Sequence, residues 1–142
     1  MTPSDPAFDA KVRESFGRQS HMSTLGVEIV RIAPGEVDLM LPYSPRFCQQ
    51  NGFMHAGAIA SVADSANGYA AYSLAPPGTD VLAVEFKINL LAPARADSFL
   101  ASGRVIRAGR TLTVCLAEVF TGGDARKPVA TMLSTLIVRP AS

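Results

Sequence analysis

Gln49-Gln50-Asn51-Gly52-Phe53-Met54-His55-Ala56-Gly57 places side-chain amides and a histidine directly before a run of small residues. Asp64 follows nine positions after His55. The small-residue run predicts a helix, so the backbone N–H groups of Ala56 and Gly57 become unpaired donors at its start, reinforced by the macrodipole. Such donors suit a carbonyl oxygen gaining negative charge during acyl transfer, where loss of one costs about 2.7–4 kcal/mol of transition-state stabilisation. Asp64 sits in an otherwise apolar stretch, and burying a carboxylate is costly unless something requires it. A desolvated carboxylate can act as general base on water or attack a carbonyl carbon itself.

Each group also has a plainer reading. Gly52 and Gly57 could simply make a tight turn into the helix, and Asp64 could be a structural acid capped by Ser61 or Ser65. His55 could order the loop or bond a backbone carbonyl. Gln49 and Asn51 are ordinary turn residues that could equally orient a water or a thioester oxygen. Arg107 and Arg110 flank Gly109 at a predicted hairpin, either as a solvated tip or as a clamp for the phosphates of a nucleotide-bearing substrate. Spacing adds a constraint. Nine residues advance a helix by about 900°, leaving His55 and Asp64 on opposite sides and roughly 13 Å apart along the axis. They converge only if two copies share a site.

The elements that must hold these residues follow from periodicity. Phe8, Val12 and Phe16 predict an amphipathic helix ending near Gly17, within an N-terminal helical segment over 1–20. One domain over 21–142 follows. Leu25 to Ile32 reads as a strand, Pro34-Gly35-Glu36 as a turn and Val37 to Leu41 as the returning strand. The central helix runs from about Ala56 to Leu74 and stops at Pro76-Pro77-Gly78. Its Ala and Gly content lets other backbones approach closely. Four strands follow: Val81 to Leu91, with Val84, Phe86, Ile88 and Leu90 on one face, then Phe99 to Arg107, Leu112 to Phe120 and Val129 to Val138. Hairpin-linked strands around one long helix make an antiparallel α+β fold. Leu112, Val114 and Leu116 oppose Cys115, Ala117 and Val119, so one sheet face is left for a second copy.

Composition narrows the class. The 142 residues are 48% hydrophobic and 18% charged, with a formal net charge of +1. That gives no field for nucleic acid or an anionic membrane. No leader or spanning segment is evident, so the expected location is cytoplasmic. Cys48 and Cys115 have no partner spacing, and Cys115 reads as a small core residue. No Gly-x-Ser-x-Gly elbow, metal-ligand spacing or phosphate loop is present.

These residues, in this order, resemble the hotdog-fold acyl-CoA thioesterases of the phenylacetate-degradation, PaaI-like branch. The resemblance rests on Gly52 to Gly57, Val62-Ala63-Asp64-Ser65-Ala66, Val84 to Ala94 and Gly109-Arg110-Thr111-Leu112. It implies a long central helix wrapped by a curved antiparallel β-sheet, a homodimer assembled into a homotetramer, and active sites built across the dimer interface. It further implies hydrolysis of an acyl- or aryl-CoA to free acid and CoA, with no metal or resident cofactor; CoA enters only as part of the substrate. Asp64 takes the place of the family's base or nucleophile, Gln49 that of its loop amide, and Ala56 that of the N–H donor after the His. Asn51, Gly57, Asn67, Gly68, Ala83, Val84, Arg107, Gly109 and Arg110 fall where substrate would pass. Two departures stand out. Gly68 and Ala83 occupy positions where relatives place a water-holding hydroxyl, which leaves Ser61, Ser65 or Asn67 as substitutes, a slow enzyme, or hydrolysis through direct attack by Asp64. The same absence keeps open an idle hotdog that binds acyl-CoA or acyl carrier protein; a hotdog dehydratase fits the loop and Asp64 spacing less well.

Overall fold

The structure is a computed structural model and describes residues 1–141. Helix α1 (Phe8–Gly17) buries Val12 completely and sets the Phe16 ring edge-on to Tyr69. A short α2 (Ser20–Leu25) follows in a stretch to which the sequence assigns no element, and its last residue, Leu25, is where the predicted strand begins. Gly26 ends it in a left-handed conformation, φ 73°, and the N–H of Val27 returns to Met22 O at 2.9 Å. Six residues are too few to display a helical period, which is why Leu25 reads as strand. Strand β1 (Glu28–Ala33) then pairs with β2 (Glu36–Pro42) through the turn at Gly35.

The long helix α3 (Ala56–Tyr72) separates β2 from β3 (Thr79–Leu90), β4 (Ser98–Ala108), β5 (Leu112–Thr121) and β6 (Pro128–Pro140). The six strands form one antiparallel sheet in the order β1-β2-β4-β5-β6-β3. This is the expected hotdog architecture. The fit between helix and sheet is closest at Gly103 of β4, where an added Cβ would lie 2.4 Å from the Ala66 carbonyl carbon. On the sheet's inner face Phe99, Ala101, Ala117, Val119 and Met132 are fully buried with Val62, Ala63 and Ala66 of the helix. Taking these side chains out of water stabilises the helix–sheet contact.

Strand β3 lies at the sheet edge and carries a register shift between Ala83 and Glu85. Phe86, Ile88 and Leu90 pair with Ser134, Met132 and Ala130, so they share the inner face as their alternation predicts. Val84 is the extra residue at the bulge. Leu82, Val84, Phe86 and Leu90 are each about half exposed, at 49%, 54%, 48% and 54%. On the outer face Ile106, Leu112 and Leu133 are similarly open, whereas Cys115 is fully buried and its thiol is pushed up to about 12 by desolvation. Among the described residues no helix is long and apolar enough to cross a membrane.

Candidate active site

The loop before α3 is fixed by its own backbone. Gln49 N–H bonds Phe53 O at 2.9 Å, Gly52 N–H bonds Gln49 O at 3.1 Å, and Gly52 takes φ 81°. Asn51 is exposed, and its N–H donates to Gln49 Oε1. His55 is the N-cap of α3, with extended backbone angles (φ −61°, ψ 140°). Its Nδ1 accepts the Gly57 N–H at 2.8 Å, which puts the ring proton on Nε2. Gly57 is therefore a capped donor and not a free one, a departure from its sequence-based role. A Cβ on Gly57 would stand 3.0 Å from that nitrogen, so glycine makes room for the ring. Ala56, the first helical residue, keeps an N–H with no hydrogen bond among the described residues.

Two cavities flank α3. One, of about 490 Å³, is lined by Gln49, Ala56 and Ile59 together with Leu90, Leu91 and Val129. The other, of about 400 Å³, is lined by Asp64, Ser65, Gly68 and Ala83, with Ser15 and Gln19 from the N-terminal segment and Tyr69 and Tyr72 from α3. Of the sequence-predicted residues, Gln49 and Ala56 thus line one cavity and Asp64, Gly68 and Ala83 the other. His55 and Gly57 face a third hollow beside His21, Cys48 and Ser61.

Asp64 is half-buried, and its Oδ1 is shut away from solvent with no hydrogen-bond partner among the described residues. Desolvation raises its pKa above the ordinary 3.8. A carboxylate left unpaired in such surroundings is costly to hold ionised and is correspondingly basic. Asn67 lies elsewhere. It is fully buried, and its Nδ2 donates to Ser134 Oγ at 2.9 Å, so within the protomer it ties α3 to β6 instead of lining either cavity. Val84 sits exposed at the β3 bulge, and Arg107, Gly109 and Arg110 are exposed at the β4–β5 hairpin, lining neither cavity. The Gly109 N–H closes that hairpin onto Leu112 O at 2.9 Å. Ser15, Gln19, Tyr69 and Tyr72 have no sequence signal as site residues. Ser15 reads only as a polar residue of a surface helix, and Gln19 as a polar residue beyond its end.

Comparison with known proteins adds to this geometry. Residues 51–127 match the sequence model of the thioesterase superfamily. The crystal structure of a thioesterase family protein from Silicibacter pomeroyi is 44% identical and superposes with a TM-score of 0.92, over 94% of this chain and 99% of that one. A 1,4-dihydroxy-2-naphthoyl-CoA hydrolase of Listeria monocytogenes is 28% identical over 91 residues, 64% of this chain and 74% of that protein. The PaaI protein from the phenylacetic acid degradation operon of E. coli shares the fold at 20% identity, with a TM-score of 0.86 over 95% of each chain.

Proposed function

The chain belongs to the thioesterase superfamily, and from that premise we propose that it hydrolyses an acyl-CoA or aryl-CoA thioester at a site shared by two protomers. Asp64 is the general base. It takes a proton from water as the water oxygen bonds to the thioester carbon, while the Ala56 N–H steadies the oxygen that becomes negative. The carbon–sulfur bond then breaks with its electron pair going to sulfur. The departing thiolate recovers the proton from Asp64, giving free acid and CoA.

The observation that carries this reading is the buried, unpartnered Asp64 oxygen on a cavity wall. A structural acid would be capped, and neither Ser61 nor Ser65 donates to it: their hydroxyls go to Gly57 O and Gln19 Oε1. Loop orientation falls to His55 and Gln49, which bond their own turn and helix start.

The separation of the half-sites supports the dimer. Ala56 and Asp64 are eight residues apart, about 12 Å along the axis, too far to act on one carbonyl. Edge strand β3 reaches both cavities: Leu82 and Ala83 line the one holding Asp64, and Leu90 lines the one holding Ala56. Pairing β3 antiparallel with its copy about a two-fold axis brings the Asp64 end of one protomer to the Ala56 end of the other. The half-exposed apolar side chains of β3 are covered by the same step. The outer face at Ile106, Leu112 and Leu133 offers a second contact for a tetramer. In this reading Arg107 and Arg110, exposed at the β4–β5 hairpin, supply the positive charge for the phosphates of CoA.

The test is thiol release from a panel of CoA thioesters, followed with a thiol-reactive dye, for the wild type and for Asp64→Ala. The variant is expected to fold as a dimer and lose about 10²-fold or more in kcat, the scale of a missing general base. Unchanged turnover would reject the assignment. Gly68 and Ala83, which bring no hydroxyl to the cavity, favour one other reading: a hotdog that binds acyl-CoA or acyl carrier protein without cleaving it. Absence of turnover across the panel, with retained acyl-CoA binding, would select it.

A further inference from the structure

Of the three groups that the sequence offers in place of a hydroxyl at Gly68 or Ala83, two are occupied elsewhere. Ser61 donates to Gly57 O at 2.8 Å and meets His21 Nε2 at 3.0 Å, in the hollow beside His55. Asn67 is fully buried against Ser134. Ser65 does line the Asp64 cavity, but its single proton goes to Gln19 Oε1 at 3.1 Å. That bond makes Gln19 the interesting member of the pair. With its oxygen held by Ser65, its Nε2 keeps two N–H groups that carry no hydrogen bond among the described residues, on the wall of the cavity that Asp64 lines.

The side chain also starts from a fixed point. Gln19 N–H bonds Phe16 O at 3.0 Å, and Gln19 O accepts from Ser23 N–H at 3.2 Å. Helix α1 before it is anchored by the fully buried Val12 and by the Phe16–Tyr69 contact. The space is sufficient. Gly68 stands one turn beyond Asp64 with nothing within 4 Å of where a Cβ would sit, in a cavity of about 400 Å³. A water needs only about 10–15 Å³ of such space.

We infer that Gln19 is the water-positioning residue of this chain: its Nε2–H donates to the attacking water, while Ser65 holds the amide in place. The inference rests on Asp64 acting as a base on water. Gln19 exchanges no proton. It fixes the water oxygen so that one water proton points at Asp64 and a lone pair points at the thioester carbon, a geometric contribution that misplacement of about 1 Å can erase.

The experiment uses the full chain and any CoA thioester that the wild type hydrolyses and Asp64→Ala does not. Gln19→Ala should lower kcat roughly 10- to 100-fold with little change in KM and an unchanged oligomer. Adding Gly68→Ser to Gln19→Ala should recover most of the rate, because a hydroxyl then enters the same cavity. Wild-type kcat in Gln19→Ala overturns the inference while leaving Asp64 in its role. A slow Gln19→Ala that Gly68→Ser fails to recover overturns it too, since Gln19 would then be a wall of the cavity only. If Asp64→Ala itself stays active on every thioester tried, the underlying reading falls, and this one with it.

Discussion

His55 Nδ1 accepts the backbone N–H of Gly57 at 2.8 Å, so the histidine of the loop caps the helix it begins. That bond leaves Ala56 as the one donor at the helix start that is free, among the described residues, to face a substrate oxygen. It also makes the role of His55 separable by substitution. His55→Ala removes the cap and should lower unfolding stability by about 1 kcal/mol, whereas His55→Asn restores an acceptor and should recover most of it. Denaturant midpoints of the two variants measure this. If His55 instead took part in proton transfer, His55→Asn would be as slow as His55→Ala despite its regained stability.

Asp64 gives a pH dependence with a definite sign. Burial raises its folded-state pKa above the unfolded value of 3.8. Below 3.8 both states are protonated, and the group costs nothing. As pH rises past that value the unfolded chain loses the proton first, and stability falls until the folded-state pKa is passed. Asp64→Asn should therefore raise Tm by a few degrees at neutral pH, with the gain shrinking to nothing in acid. Activity runs the other way, because a base must be ionised. The acid limb of kcat/KM should sit above 3.8, the ordinary value for the group. Thermal melts across pH, with a pH–rate profile, check both; a Tm gain that persists unchanged in acid would show that the variant acts through something other than ionisation.

Long, strongly patterned elements were legible in the sequence because their period follows directly from burial. The run of small residues from Ala56 predicts α3, and Gly103 meeting the Ala66 backbone shows why that helix had to be thin. The hairpin strands follow from alternation, including the inner face of Phe86, Ile88 and Leu90. What escaped was set by tertiary contact. Helix α2 is six residues held by a glycine cap, and the β3 bulge at Val84 leaves the local alternation intact in the sequence. Asp64 was readable because a carboxylate amid apolar residues is conspicuous. Gln19 was not, since a glutamine at a helix end is ordinary until the packing of α1 on Tyr69 brings it to the Asp64 cavity. The split of Ala56 and Asp64 between two cavities was foreshadowed by helical arithmetic, which fixes angle and rise without knowledge of the sheet.

Ala56 allows a backbone donor to be deleted cleanly. It is the first residue of α3, where proline is well tolerated, and the preceding His55 already holds the extended angles that a following proline requires. Ala56→Pro should keep the helix, lose the N–H, and cost roughly 10²–10³-fold in kcat, as for one oxyanion donor. Mixing this variant with Asp64→Asn then tests the shared site. Each alone is inactive, but a mixed dimer contains one site with an intact Ala56 from one chain and an intact Asp64 from the other. After dissociation and reassociation of equal amounts, random pairing of a two-fold dimer should return about a quarter of the wild-type rate. If Ala56 and Asp64 of the same chain served one site, every mixed dimer would carry two broken sites, and mixing would return nothing.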